Sequence, residues 1–205
     1  MATLRHVLYV ITTGLLIPVI ICLLFLLIKS LMLVGGFFAL MLRRTRHRAG
    51  IQEVLRLFHD LHRGNRDSVS DDLRGRLHQS CTFAEYVHSL AENRGNNLFQ
   101  EKILSDFERY GERELEQPRI LLRVGPMLGL MGTLIPLAPA LSGLAAGNLA
   151  MLAENLQVAF STTVIGLLIG AIGFFSSTVR RRWLREDLAN LTYMKDVLQS
   201  KETGA

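Results

Sequence analysis

The sequence has only two cysteines, Cys22 inside an apolar run and Cys81 in a polar region far along the chain. That count and spacing exclude a disulfide framework, and both are expected as free thiols. Ionisable side chains are missing altogether from residues 124–153 and 155–179. A group that takes up and releases protons inside a membrane is typically a carboxylate, so these segments have no proton carrier of their own. Glu154, between them, sits where a solvated carboxylate at a helix start is the plainer explanation. Strand-like alternation, internal repeats and low-complexity tracts are also lacking. No H-E-x-x-H, G-x-S-x-G or pair of aspartates occurs in the apolar segments, which argues against an enzyme. His59 and His62 lie three apart on a predicted helix, but no third ligand follows at a metal-site spacing, so no metal and no cofactor is expected.

What the sequence does have is three long apolar runs, residues 7–42, 124–153 and 156–179. A spanning helix needs roughly 20 mostly apolar residues, and each run is long enough. The formal charge of +5 could suit nucleic acid, but its position decides otherwise. Arg43, Arg44, Arg46 and Arg48 follow the first run, and Arg180, Arg181, Arg182 and Arg185 follow the third, as on cytoplasmic flanks. The expectation is an all-α integral protein of the cytoplasmic (inner) membrane, with its N-terminus outside and its C-terminus inside. Arg43, Arg44, Arg180, Arg181, Arg182 and Trp183 are its lipid-interface candidates, with anionic lipids as partners and no nucleic acid.

Four regions follow: a first transmembrane helix (1–42), a cytoplasmic helical region (43–118), a hairpin of two transmembrane helices (119–179) and a cytoplasmic C-terminal helix (180–205). The first run exceeds a signal-peptide core and ends in RRTRHR without a small-residue cleavage site, so it is expected to stay as an anchor. It is predicted as one long helix, tilted or projecting, with Lys29 snorkelling and Gly35 and Gly36 able to bend it. Breaks are expected at residues 63–67 and 94–97, and Pro118 either starts or kinks the helix that enters the membrane. An uncharged link at residues 142–150 makes the hairpin tight. In the tail, Leu184, Leu188, Leu191 and Leu198 lie near one face, as in a packing helix.

At helical spacing Pro126, Gly129, Thr133, Pro136 and Ala140 share one stripe of small residues, and Ala159, Thr163, Gly166, Gly170, Gly173 and Ser177 form another. Small residues let helix backbones approach in lipid, where there is no hydrophobic drive to bring them together. Simple helix packing is therefore one reading. Thr133 and Thr163 add hydroxyls at membrane depth, suited to hydrating a narrow passage, although a buried threonine often bonds its own helix carbonyl.

The G-x-x-G-T pattern at Gly129, Gly132 and Thr133, followed by A-F-S-T-T-x-x-G-L at residues 159–167, resembles the hairpin of the MotA/TolQ/ExbB proton-channel family. The resemblance covers roughly residues 115–180 closely. It implies a ring of five such subunits around two copies of an ExbD/TolR/MotB-like single-span partner, whose membrane aspartate carries the proton that this hairpin cannot. It also implies that Thr133 and Thr163 line the passage, with Ser161 and Thr162 on a neighbouring face. Pro126, Gly129, Gly132, Pro136, Ala159, Gly166, Gly170 and Gly173 would serve helix packing and the partner interface. The implied function is that of a channel or stator subunit in a motor driven by proton-motive force; the alternative is a non-conducting membrane scaffold. Two departures stand out: Val158 occupies the position of a glutamate found in transporter-energising members, and GTLIPLAPAL carries two prolines where the family continues G-T-x-x-G.

Overall fold

The computed structural model describes residues 2–62, 82–93 and 96–200. Five helices follow one another: α1 (Ala2–Gly14), α2 (Leu16–His62), α3 (Thr82–Glu92), α4 (Asn97–Ala145) and α5 (Leu149–Ser200), with no strand among the described residues. Three stretches, His6–Leu42, Asn97–Ala145 and Leu149–Gln199, are long and apolar enough to cross a membrane. Cys81, the break expected at residues 63–67 and the side chains of Arg43, Arg46, Arg48, His59 and His62 lie outside the described residues.

The first apolar run is not one uninterrupted helix. It pauses at Leu15, whose N–H is shared between the carbonyls of Ile11 and Thr12 at 3.1 and 3.2 Å. The cause is Pro18, which has no N–H for the carbonyl of Gly14 and whose ring crowds that same carbonyl. Gly35 and Gly36 leave no mark of this kind: both lie within α2, and a Cβ at either would meet nothing within 4 Å.

The helix expected to enter the membrane near Pro118 begins much earlier, at Asn97, and runs through Pro118, Pro126, Pro136 and Pro139. Each proline removes a donor from the helix ladder and frees a carbonyl one turn back. At Pro118 the freed carbonyl, that of Glu114, accepts from Arg180 Nη1 at 3.4 Å, and the same nitrogen donates to Glu114 Oε2 at 3.0 Å. The Arg180 side chain is only 14% exposed and is thus committed within the chain.

The link between α4 and α5 is shorter than the expected residues 142–150, because helix continues to Ala145 and resumes at Leu149. Its stop signal is Gly147, at φ 75°, a left-handed conformation that costs glycine little. Gly147 N donates to Leu144 O at 3.0 Å and Asn148 N to Gly143 O at 2.8 Å, the paired bonds that close a helix C-terminus. Asn148 then starts α5 by accepting from Met151 N through Oδ1 at 3.0 Å, satisfying one of the free donors of the first turn.

The chain divides into two compact units, Met1–Phe37 with Glu116–Thr178, and Phe38–Leu115 with Val179–Ala205. In the first, Leu23 and Leu33 of α2 pack with Leu121 and Ile169, flanked by Leu128, Ile165 and Ile172, and Phe37 meets Phe175 edge-on at 5.7 Å. In the second, Phe83, Val87 and Leu90 of α3 pack with Ile103 and Phe107 of α4 and Leu191 and Met194 of α5, with Leu184, Leu188 and Leu198 against them. The tail leucines thus do form a packing face. Arg44 joins this second unit as more than a flanking charge. Its guanidinium makes two 2.8 Å bonds to the Asp187 carboxylate, lies 3.5 Å from Glu186 and stacks 5.0 Å from the Trp183 ring. With side chains 19% and 14% exposed, Arg44 and Arg180 are both held by carboxylates of the fold. Two parallel N–H···O bonds to one carboxylate, as at Arg44, suit the planar guanidinium. Arg181 and Arg182 remain exposed, Arg182 with Glu186 at 3.1 Å.

Candidate ion-pathway edge

The candidate site is built on the seam between α4 and α5. Gly125, Gly129 and Gly132 on α4 face Thr162, Gly166, Gly170 and Gly173 on α5. The backbones come close enough that a Cβ at Gly166 would lie 2.7 Å from Gly129 Cα and 2.7 Å from Gly125 O. Carbon atoms prefer about 3.5–4.0 Å, so glycine is required there. A Cβ at Gly132 would meet the Thr162 side chain at 2.6 Å, and one at Gly173 would meet Pro118 O at 2.7 Å. Pro136, Ala140 and Ala159 are also buried.

This seam keeps most of the stripes expected from spacing, Gly129, Pro136, Ala140, Ala159, Gly166, Gly170 and Gly173 among them, but differs by one residue at three positions. Its centre runs through Gly125, Gly132 and Thr162, and the residues immediately after them, Pro126, Thr133 and Thr163, are half-buried at its border. One residue is a rotation of about 100° in an α-helix. In two antiparallel helices, residues displaced in the same sense from a shared seam lie along the same edge. Thr133 and Thr163 therefore flank one edge together. Residues displaced the other way, Leu128, Ile165, Ile169 and Ile172, take the contact with α2. The two edges differ: one packs on α2, and the threonine edge is exposed among the described residues.

Along the threonine edge the residues that follow the seam are apolar and exposed: Leu130 (60%) and Leu137 on α4, Phe160 (66%), Leu167 and Phe174 on α5. Thr133 and Thr163 supply its hydroxyls. Thr133 Oγ1 donates to Leu130 O at 2.7 Å and Thr163 Oγ1 to Ala159 O at 3.0 Å. With their protons engaged by the helix, both hydroxyls offer lone pairs outward, so they can accept from water, a hydrated proton or a protonated carboxyl.

Thr162 and Ser161 differ from this pair. Thr162 is 6% exposed, packed against Gly132, with its hydroxyl bonded to the Ala159 and Val158 carbonyls at 2.9 and 3.1 Å. It belongs to the packing seam between α4 and α5. Ser161 is exposed, precedes the seam residue Thr162 and so lies off the threonine edge; its hydroxyl donates to Gln157 O at 2.8 Å. Val158 and Glu154, one and five residues before the seam residue Ala159, also lie away from the threonines. The unit formed by Met1–Phe37 and Glu116–Thr178 holds only two acids, Glu116 and Glu154, and neither is on a seam. Among the described residues no group of His, Cys, Asp and Glu could hold a metal ion.

The family model described as the MotA/TolQ/ExbB proton channel family matches residues 76–191, which include the whole seam. The chain belongs to the MotA/TolQ/ExbB proton channel family. Curated proteins and solved structures give no match to the chain. Membership carries a proton-channel-related role for an all-helical, multi-pass membrane protein, in a family of channels and not of enzymes. Spacing found the glycines and threonines of this MotA/TolQ/ExbB hairpin but missed Gly125. Its signal was present, four residues before Gly129 on the same helical face.

Proposed function

We propose that this chain is the channel-wall, or stator, subunit of a motor complex driven by proton-motive force. Five copies would surround two copies of an ExbD/TolR/MotB-like single-span partner. The partner supplies the protonatable aspartate, and the hydroxyls of Thr133 and Thr163 face it across a thin water path. The observation that carries this reading is the threonine edge itself, with two hydroxyls in an apolar wall, no acid and no α2 packed over it. A wall without a carboxylate complements a partner that brings one. The transmembrane potential supplies about 2.3 kcal/mol per charge per 100 mV, enough to bias a partner helix each time its acid gains or loses a proton. Arginine-rich flanks after the first and third spans support an N-terminus outside and a C-terminus in the cytoplasm of the cell membrane.

The test is native mass spectrometry of the tagged protein extracted gently from its own membranes, with each co-purifying chain identified. Five copies with a small single-span protein bearing a membrane aspartate are expected. A reproducible monomer or dimer without such a chain, in several mild detergents and in nanodiscs, would favour a non-conducting scaffold instead. Its supporting observation is that every threonine hydroxyl on the seam already bonds its own helix.

A further inference from the structure

Arg123 stands apart from the other arginines near the spans. It is exposed and has no hydrogen bond or ion pair among the described residues, whereas Arg44 and Arg180 are locked to carboxylates of the fold. Its neighbours one turn away along α4 are Arg119, Ile120, Pro126 and Met127, none of them acidic. Glu116, the nearest acid of its unit along the chain, lies seven residues back, about 10 Å of helix rise. An exposed guanidinium beside an apolar span thus has its charge unmet within its own unit.

Position and direction narrow what can meet it. From Arg123 to Ala145 the helix rises about 33 Å, close to the hydrocarbon thickness of a bilayer, which puts Arg123 at a headgroup boundary. The Cα–Cβ bonds of a helix tilt toward its N-terminus, so the Arg123 side chain leans away from the apolar stretch. In the other direction the same helix exposes Met127 (62%) and Leu134 (58%), an apolar strip beginning one turn from the arginine. Lys29 contrasts with this: its Nζ lies 5.9 Å from the Phe25 ring, one turn back along an apolar helix, away from any such boundary.

We propose that Arg123 is a binding site for the phosphate of an anionic phospholipid, whose acyl chain lies along Met127 and Leu134. A planar guanidinium can grip two phosphate oxygens at once, and the strip beyond it requires only an apolar chain. This site is independent of the conduction role, since it needs neither a partner nor a proton.

The experiment is native mass spectrometry of the purified full chain, delipidated and then titrated with phosphatidylglycerol or phosphatidylcholine. The wild type is expected to retain phosphatidylglycerol preferentially. Arg123→Gln is expected to lose about fivefold in that retention, from roughly 1 kcal/mol per basic residue at an anionic surface. Arg123→Lys should keep most of it, Met127→Gln should weaken it, and Arg113→Gln, at another exposed arginine of α4, should leave it unchanged. Unaltered melting of each variant shows that the fold is kept. Equal loss in Arg113→Gln would overturn the proposal, as would unchanged binding in Met127→Gln. Full competition by inorganic phosphate would identify a free-anion site, and an acidic polypeptide held by Arg123 in place of lipid would identify a protein site; either result refutes a lipid site.

Discussion

Placing a single methyl group at Gly166 tests the seam more sharply than any larger change. In Gly166→Ala the new Cβ falls 2.7 Å from Gly129 Cα and 2.7 Å from Gly125 O, both backbone atoms that cannot rotate aside. Restoring an ordinary carbon contact requires α4 and α5 to separate by about 1 Å. Overpacking of this kind costs about 1–3 kcal/mol. Alanine recovers about 1 kcal/mol through its better helix propensity, which leaves a net loss of about 0–2 kcal/mol. Gly35 provides the control, because nothing lies within 4 Å of its added Cβ. There the propensity gain stands alone, and Gly35→Ala should stabilise by about 0.5–1 kcal/mol. The two variants change the same atoms yet should move stability in opposite directions. Thermal unfolding of each in the same detergent, at about 2–4 °C per kcal/mol for a chain of this size, separates them. A Gly166→Ala protein that melts at or above Gly35→Ala would refute the close-packed seam.

Other consequences concern the threonine edge, the Arg44 clasp and alkaline stability. Thr163→Val should lower proton flux in the reconstituted complex with little change in assembly, whereas Thr162→Val, buried in the seam, should cost about 1 kcal/mol of stability and leave flux intact. Equal flux loss in both would remove the distinction between edge and seam. Asp187→Asn takes a carboxylate from a guanidinium that is largely shielded and should cost about 1–2 kcal/mol, with Glu186 at 3.5 Å limiting the damage; a melting series measures it. Tyr86 is held above its ordinary value of 10.0 by burial of the phenol and then by Asp106, Glu85 and Tyr110. A raised value in the folded state means stability that is full below the unfolded value and lost as pH rises through the folded one. Stability should therefore decline above about pH 10, and Tyr86→Phe should flatten that decline in melts taken across the alkaline range.

The three apolar stretches and the glycine-rich hairpin were legible because length, apolarity and residue spacing need no knowledge of neighbours. The tail leucines were legible for the same reason, since a 3.6-residue period marks a buried face whatever packs on it. Arg44 and Arg180 were not. In sequence they look like any flanking arginines, and only the approach of Asp187 and Glu114, more than sixty residues distant along the chain, pairs their charge within the fold. Pro118 was ambiguous because a proline can begin a helix or be carried within one. The carbonyl it frees is met by Arg180, and that contact has no signature in the local sequence.

The sequence by itself determined the spans, the missing membrane acid and the small residues that allow α4 and α5 to meet. These follow from composition and period, which every stretch of chain carries locally. Tertiary structure alone decided which of two adjacent small residues enters the seam at three positions, burying Gly125, Gly132 and Thr162 and leaving Pro126, Thr133 and Thr163 at its border. The physical reason is that adjacent small residues are nearly interchangeable to a periodicity. Two backbones in contact must instead place hydrogen atoms, and not methyl groups, where they come closest.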